Sequence, residues 1–286
     1  MKTKVQRETD TGCLYLVATP IGNLEDITLR AIRILKDADL IACEDTRQTQ
    51  KLLQHYEIRK EAVSYHAHNE LTRSPELVIE MEQGAKVALV SDAGTPGISD
   101  PGHHLVTLCL RHHIPVVPIP GPSALIAALS ASGLPTEEFL FVGFLPSRTG
   151  DRRKALDALK QESRTMILYE APHRIVETLS DAADILGPRP AVIARELTKI
   201  HEEFLRGNLA ELVDAANKRA PRGEITLLIG PGPPGAQLAQ PKLSLKQRVE
   251  QLEKEPGMDR KAALKQAARE QGLPKREAYK KLLLER

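Results

Sequence analysis

Val87-Ala88-Leu89-Val90-Ser91-Asp92-Ala93-Gly94-Thr95-Pro96-Gly97-Ile98-Ser99-Asp100-Pro101-Gly102 decides how the rest of the chain is read. Its first four residues form an unbroken apolar run, as expected for a strand buried on both faces of a parallel sheet. The twelve residues that follow hold three glycines, two prolines and two carboxylates. Such a segment is stiff and tightly turned, and it offers backbone groups and charge to a ligand. An elaborate turn capped by Asp and Ser side chains is the bland alternative. Because open α/β sheets bind ligands at the carboxyl ends of their strands, this loop predicts a fold class and a site together.

Outward from it, apolar runs at Leu14 to Ala18, Leu40 to Cys43, Ala62 to Tyr65 and Pro115 to Ile119 predict further strands. Amphipathic stretches at Ile27 to Ala38, Thr46 to His55, Leu71 to Glu82 and Leu105 to His112 predict helices between them, with Gly84 closing the third. Strand and helix alternating over this length implies a mostly parallel α/β sheet. After Ser132-Gly133-Leu134-Pro135 the alternation resumes. Strands are expected at Phe139 to Phe144, Met166 to Tyr169, Val192 to Arg195, Glu203 to Arg206 and Ile225 to Ile229, and helices at Arg152 to Gln161, Arg174 to Leu186 and Leu209 to Arg219. Gly230-Pro231-Gly232-Pro233-Pro234-Gly235 then breaks regular structure. Three short helical patterns follow, Leu245 to Lys254, Arg260 to Gln271 and Lys275 to Leu284, similar to a helix-turn-helix unit. The expected organisation is an α/β domain over 1–122, a second over 123–230, a linker over 231–243 and a basic helical tail over 244–286.

The 286 residues contain 41% hydrophobic and 27% charged side chains, which excludes a disordered or fibrous chain. No apolar run approaches the ~20 residues of a membrane span, and the first ten residues are charged, so a cytoplasmic protein is expected. Cys13, Cys43 and Cys109 lie in apolar segments with no C-x-x-C pairing, which argues for buried thiols rather than a disulfide framework or zinc site. The net charge of +2 hides an asymmetry: residues 240–286 carry 13 Lys/Arg against 7 Asp/Glu, and the remainder 27 against 31. A tail of +6 on a body of −4 points to a polyanion contact away from the main fold, or else to a solvated helical surface. Thr19-Pro20-Ile21-Gly22-Asn23-Leu24 after the first strand is not G-x-G-x-x-G, and G-x-x-x-x-G-K-[ST] is absent, which disfavours a dinucleotide enzyme and excludes a P-loop nucleotidase.

The Ser91 to Gly102 loop resembles the signature of one branch of the tetrapyrrole methylase superfamily, the bacterial small-subunit ribosomal RNA 2'-O-ribose methyltransferases. Matching pieces stand in the same order: Thr19 to Leu24, Glu44-Asp45-Thr46-Arg47, His66-Ala67-His68-Asn69-Glu70, Pro120-Gly121-Pro122, Gly143-Phe144-Leu145-Pro146, Tyr169-Glu170, His173-Arg174 and Ala194 to Lys199. They span roughly Leu14 to Ile229. Porphyrin-modifying relatives carry a glycine-rich turn where this chain has Thr-Pro-Ile-Gly-Asn-Leu, a departure that favours the RNA branch.

The resemblance implies two α/β domains with the active site in the cleft between them and S-adenosylmethionine as methyl donor. It implies that Pro20, Asp92, Thr95, Ser123, Ala124, Tyr169, Ala194 and Thr226 line the donor's pocket. It also implies a homodimer acting on the decoding-centre cytidine 1402 of 16S ribosomal RNA within the 30S subunit. Methyl transfer from a sulfonium draws much of its rate from positioning, and no metal is expected. A ribose 2'-hydroxyl is a poor nucleophile, so a general base or hydrogen-bond acceptor is expected near the methyl group. Glu44, His66, Glu170 and Glu196 are the candidates, and the residues alone do not rank them.

Each has an alternative. Glu44 and Asp45 precede a helix, where carboxylates cap N–H groups. His66 and His68 alternate along a strand-like segment but lack a third ligand for a metal. Arg47, Arg174 and Arg195 suit RNA phosphates or ion pairs with Glu44, Glu170 and Glu196 equally well. Tyr169 either stacks on adenine or packs. In the tail, Lys275, Arg276, Lys280 and Lys281 gather on one side of the last helix, a stripe suited to following a phosphate backbone. The rival readings are a methyltransferase of a small tetrapyrrole and a DNA-binding regulator whose body senses a ligand.

Overall fold

The structure, a computed structural model, describes residues 12–232, 245–253, 259–270 and 277–278. The chain divides into two compact units, Met1–Gly232 and Pro233–Arg286.

The first sheet of the larger unit contains β1 (Cys13–Val17), β2 (Leu40–Cys43), β3 (Ala62–Ser64), β4 (Lys86–Val90) and β5 (Val116–Ile119). They are ordered β3-β2-β4-β1-β5, and every pair is parallel. The pleat turns Ala88 and Val90 of β4 to one face and Val87 and Leu89 to the other. On the first face they meet Leu35 of α1 (Leu29–Asp37) and Leu53 of α2 (Thr46–His55). On the second they meet Leu77 and Met81 of α3 (Glu70–Glu82) and Leu105 of α4 (His103–Arg111). Burial on both faces is why the strands read as continuous apolar runs. The helix starts are set locally: Thr28 Oγ1 accepts from Ala31 N at 3.1 Å, and Asp45 Oδ1 from Arg47 N at 2.9 Å. Strands β1 and β4 are neighbours, but the chain leaves β1 toward β2 and leaves β4 toward β5, in opposite directions along the sheet. A crevice opens at such a reversal.

The second sheet holds β6 (Phe139–Phe144), β7 (Thr165–Glu170), β8 (Pro190–Arg195), β9 (Glu203–Asn208) and β10 (Ile225–Ile229), ordered β6-β7-β10-β8-β9. Only β6 and β7 run parallel; the other pairs are antiparallel, with β8 and β9 joined by the short 196–202 loop. Helices α6 (Thr149–Ala158), α7 (Ile175–Leu186) and α8 (Leu209–Lys218) cover one face through Leu156, Leu179 and Leu212. The other face is covered by α5 (Ala124–Ser132). This helix follows directly from β5, yet its Ala128 and Leu129 pack with Ile167, Val192, Ala194 and Leu228 of the second sheet, together with Ile21 and Leu197. The crossover passes close to β1: a Cβ on Gly121 would stand 2.9 Å from the Cβ of Ala18.

In the smaller unit, α9 (Leu245–Leu252) and α10 (Arg260–Glu270) bury Leu245, Val249, Leu252, Leu264 and Ala267 in one cluster. Asp259 Oδ1 accepts from Ala262 N at 2.7 Å and caps the start of α10. Of the third helix expected there, Glu277 and Ala278 are helical, while Lys275, Arg276, Lys280 and Lys281 lie outside the described residues, as does most of the linker. Among the described residues no helix is long and apolar enough to cross a membrane.

One ionic contact inside the second half is buried. The Arg152 side chain, 2% exposed, donates from Nε to Asp181 Oδ2 at 2.7 Å and reaches Glu177, tying α6 to α7. Arg152→Ala leaves Asp181 only the partly exposed Arg153 and removes a buried charged hydrogen bond, so it is expected to cost about 1.5–3 kcal/mol in urea denaturation. Arg153→Ala, whose guanidinium bonds the same Asp181 but is 43% exposed, is expected to cost below about 1 kcal/mol.

Candidate active-site cleft

The loops that follow β1 and β4 are bonded to each other. Thr19 N donates to Gly94 O at 2.9 Å and Gly94 N to Thr19 O at 3.0 Å, while Thr19 Oγ1 donates to Ser91 O at 3.1 Å. Gly94 presents both of its backbone groups to Thr19 from a left-handed conformation, φ +85°, which a residue with a Cβ adopts at a cost. The rest of the loop is bent as sharply, Ser99 standing at φ +61°.

Two chambers flank this junction. The first, about 410 Å³, is bounded by Asp92, Thr95 and Asp100 of the loop, Ser123 and Ala124 at the start of α5, and Tyr169 and Thr226 of the second sheet. Its aromatic wall is rigid, because the Tyr169 ring packs at 5.1 Å from Phe141 and 5.6 Å from Phe144. The second chamber, about 450 Å³, shares Ile21, Asp92, Ala93 and Glu224 with the first. It is completed by Pro20, Gly22 and Leu24, by Gln48, Lys51 and Leu52 of α2, and by Lys199.

Of the residues expected at the donor pocket, Asp92, Thr95, Ser123, Ala124, Tyr169 and Thr226 therefore converge on the first chamber. Pro20 lines the second. Ala194 lines neither: it is fully buried in the core beneath the cleft, paired with Thr226 across β8 and β10.

The carboxylates separate by their partners. Glu170 is buried; its Oε2 accepts from Thr178 Oγ1 at 2.6 Å, its Oε1 from Ala171 N at 2.8 Å, and Arg174 Nε stands 3.4 Å from Oε1. Glu196 binds Lys199 Nζ at 2.9 Å and Glu224 N at 3.0 Å, and these partners hold its carboxyl below the usual range. Both hold backbone and loops in place, Glu170 while also lining the first chamber and Glu196 while lining neither. Glu44 is half-buried at the end of β2. Its charge opposes the ionisation of Asp100, a residue not among the expected candidates although it stands in the decisive loop. Burial comes first and Glu44 second in pushing Asp100 up to about 6; Asp92 adds to this, against a hydrogen bond from Ser91. The available signal was positional: Asp100 is the second carboxylate of a loop that Pro101-Gly102 turns back into α4.

The arginines are likewise engaged. Arg174 donates to the carbonyls of Leu145 and Pro146 as well as facing Glu170, and Arg195 donates to Glu203 Oε2 at 2.5 Å, so neither presents a free fork for phosphate. Arg47 pairs with Asp45 but is 86% exposed. His66 and His68 lie beyond β3 in the loop before α3, not on a strand, with ring centroids 5.9 Å apart. Among the described residues no group of three His, Cys, Asp or Glu side chains is placed to hold a metal ion. Cys43 and Cys109 are buried thiols and Cys13 is half-buried, all free.

The family model described as Tetrapyrrole (Corrin/Porphyrin) Methylases matches residues 13–213, which include both sheets' site-bearing loops except the turn before β10. The chain belongs to the tetrapyrrole methylase family. This methylase is 54% identical over 231 residues to "Ribosomal RNA small subunit methyltransferase I" of Halalkalibacterium halodurans, covering 80% of each chain. It is 48% identical over 218 residues to the protein of the same name from Thermotoga maritima, covering 76% of this chain and 98% of that one. Among solved structures it is similar to a cobalt precorrin-4 methyltransferase of cobalamin biosynthesis, at TM-score 0.58 and 19% identity over 80% of this chain and 98% of the other. It is similar also to uroporphyrin-III C-methyl transferase from Thermus thermophilus complexed with S-adenyl homocysteine, at TM-score 0.55 and 23% identity over 77% and 97%. The two structural likenesses establish a shared fold.

Asp100 gives this methylase a pH signature in its stability. Its folded-state pKa of about 6 exceeds the ordinary 3.8, so the folded protein holds a proton that the unfolded chain releases, and stability falls as pH rises from about 4 through 6. Asp100→Asn, which keeps the shape and removes the charge, is expected to raise the melting temperature at pH 7.5 and to leave it nearly unchanged at pH 4. A gain of equal size at both pH values would show that Asp100 is not destabilised by burial.

Proposed function

We propose that this methylase transfers a methyl group from S-adenosylmethionine to a ribose 2'-hydroxyl of 16S ribosomal RNA. What carries the proposal is the convergence of Asp92, Thr95, Ser123, Ala124, Tyr169 and Thr226 on one chamber beside a raised-pKa carboxylate. The relatives named as ribosomal RNA small subunit methyltransferases, about half identical over most of the chain, select RNA over a tetrapyrrole as the acceptor.

The chamber's chemistry fits a nucleoside sulfonium. Tyr169 offers a flat aromatic face for a purine ring, the hydroxyls of Thr95, Ser123 and Thr226 suit the polar atoms of an amino acid and a sugar, and Asp92 and Asp100 supply negative charge for a cationic sulfur. Bound there, the donor supplies a methyl group on a positively charged sulfur that departs as a neutral thioether. The acceptor oxygen forms its bond to the methyl carbon as the carbon–sulfur bond breaks, the bonding pair staying on sulfur. The hydroxyl proton passes to a carboxylate and then to solvent. Asp100 takes that proton: it is ionised above about pH 6, yet a stronger base than an ordinary aspartate. The pocket walls orient donor and acceptor and keep water from competing.

The finer assignments belong to the same proposal. The target is the decoding-centre cytidine, met within the 30S subunit in the cytoplasm, and the enzyme is a homodimer. The exposed Arg47 and the +6 tail with Lys275, Arg276, Lys280 and Lys281 contact phosphates.

Labelled S-adenosylmethionine offered with undermodified 30S particles, free 16S RNA or a porphyrin precursor tests the proposal directly. Label is expected in RNA, at one ribose whose 3' linkage becomes resistant to alkali; incorporation into the porphyrin precursor alone would overturn it. Wild-type kcat is expected to rise through about pH 6 and level off. Asp100→Asn is expected to lower kcat at pH 7.5 by about 10²–10⁴-fold and to abolish that limb, while S-adenosylhomocysteine still raises its melting temperature.

A further inference from the structure

The second chamber has no part in binding the donor as derived above, yet it opens onto the same four residues, Ile21, Asp92, Ala93 and Glu224. Two cavities that share a wall bring their occupants into contact at that wall. A methyl transfer needs this arrangement, with donor and acceptor arriving from opposite sides.

The lining indicates what the second occupant is. Pro20, Leu24 and Leu52 offer apolar faces against which a planar ring packs. Gln48 and Lys51 stand exposed on α2, and Lys51 Nζ donates to Gln48 Oε1 at 3.2 Å. This leaves the Gln48 amide N–H groups available to acceptor atoms on a base edge, and two ammonium donors of Lys51 for a phosphate. Arg47 lies four residues before Lys51, on the same side of the helix, which extends the cationic track out of the chamber. About 450 Å³ suits a single nucleotide, not a macrocycle bearing several carboxylates, and one free cation at the wall would poorly neutralise such a ligand.

The far wall explains a strained segment that nothing else uses. Glu196 and Thr198 both hold left-handed backbone, φ +50° and +65°. Their loop delivers Lys199, which is pinned by Glu196 at 2.9 Å and Glu224 at 3.0 Å, onto the face of Gly22. A Cβ on Gly22 would lie 2.5 Å from Lys199 Cγ, so the wall closes only over glycine. Strain kept in this way beside a cavity is characteristic of a built site.

We infer that the second chamber is the acceptor subsite, receiving one ribonucleotide turned out of the RNA strand with its base against Pro20 and Leu52, its base edge at Gln48 and its phosphate at Lys51. Sequence-specific RNA recognition commonly reads such splayed-out bases. The 2'-hydroxyl then lies at the shared wall, where Asp92 of the Ser91 to Gly102 loop stands, with Asp100 on the first-chamber side. The inference rests on the proposed RNA 2'-O-methylation.

Its test uses the full chain, undermodified 30S particles and labelled S-adenosylmethionine. Lys51→Glu and Gln48→Ala, both at exposed positions that spare the fold, are each expected to raise KM for the particles by about tenfold or more. Leu52→Trp, which fills the chamber, is expected to abolish labelling, with circular dichroism confirming that it folds. S-adenosylhomocysteine affinity by calorimetry is expected to stay at the wild-type value in all three. Wild-type KM in both surface variants together with labelling by the filled one would overturn the inference while leaving the methyltransferase assignment intact. A fall in S-adenosylhomocysteine affinity matching the change in KM would assign the chamber to the donor instead. Failure of the wild-type protein to label RNA would remove the function and this subsite with it.

Discussion

The cleft depends on one reciprocal pair of backbone hydrogen bonds, Thr19 with Gly94. Each bond contributes about 0.5–1.5 kcal/mol net, but Thr19 is buried, and separating the loops would also leave its hydroxyl without Ser91 O. The pair acts at the place where the first sheet reverses its winding, and it holds together loops whose strands send the chain in opposite directions. Ile21, two residues after Thr19, and Asp92, two residues before Gly94, become part of the partition between the two chambers. A cleft with two compartments is therefore a local consequence of strand order and one turn.

Within that frame, partners decide what each carboxylate does. Glu170, Glu196 and Asp100 all stand at the ends of strands or on the loops beyond them. Glu170 has a threonine hydroxyl and a backbone N–H, and Glu196 has a lysine and a backbone N–H, so the charged form of each is well satisfied. Asp100 has burial and two like charges nearby. Glu170 and Glu196 brace loops through these bonds, and Asp100 is suited to proton transfer because burial and the neighbouring carboxylates oppose its ionisation.

These differences set the boundary of what the amino-acid sequence made legible. The buried strands could be read because burial on both faces leaves an apolar run, and the site-bearing loop because a sharp turn between strand and helix needs glycine and proline. The start of α2 was legible because the carboxylate of Asp45 caps it. The antiparallel order of the second sheet was not, since alternating strand and helix is compatible with several pairings. The standing of Glu170 and Glu196 was hidden because the Glu170 partner Thr178 sits on the following helix and the Glu196 partner Glu224 comes from a distant turn. Asp100 was not legible as a candidate, because what raises it is burial in the folded loop and the charge of Glu44 at the end of the neighbouring strand β2. Gln48 and Lys51 read as an ordinary solvated helix face until α2 is seen beside the β1 loop.

Helix α5 continues directly from β5 of the first sheet through Pro120-Gly121-Pro122, yet packs with the second half and closes the core over β8 and β10. The two halves are consequently not interchangeable modules. A cut in the chain between the sheets would strip the second of the cover for one of its faces, and a rigid hinge between them would have to bend at a crossover stiffened by two prolines and packed against Ala18. Access to the cleft is thus left to side chains and loops at its rim, and the lineage is constrained to inherit, and to vary, both halves together.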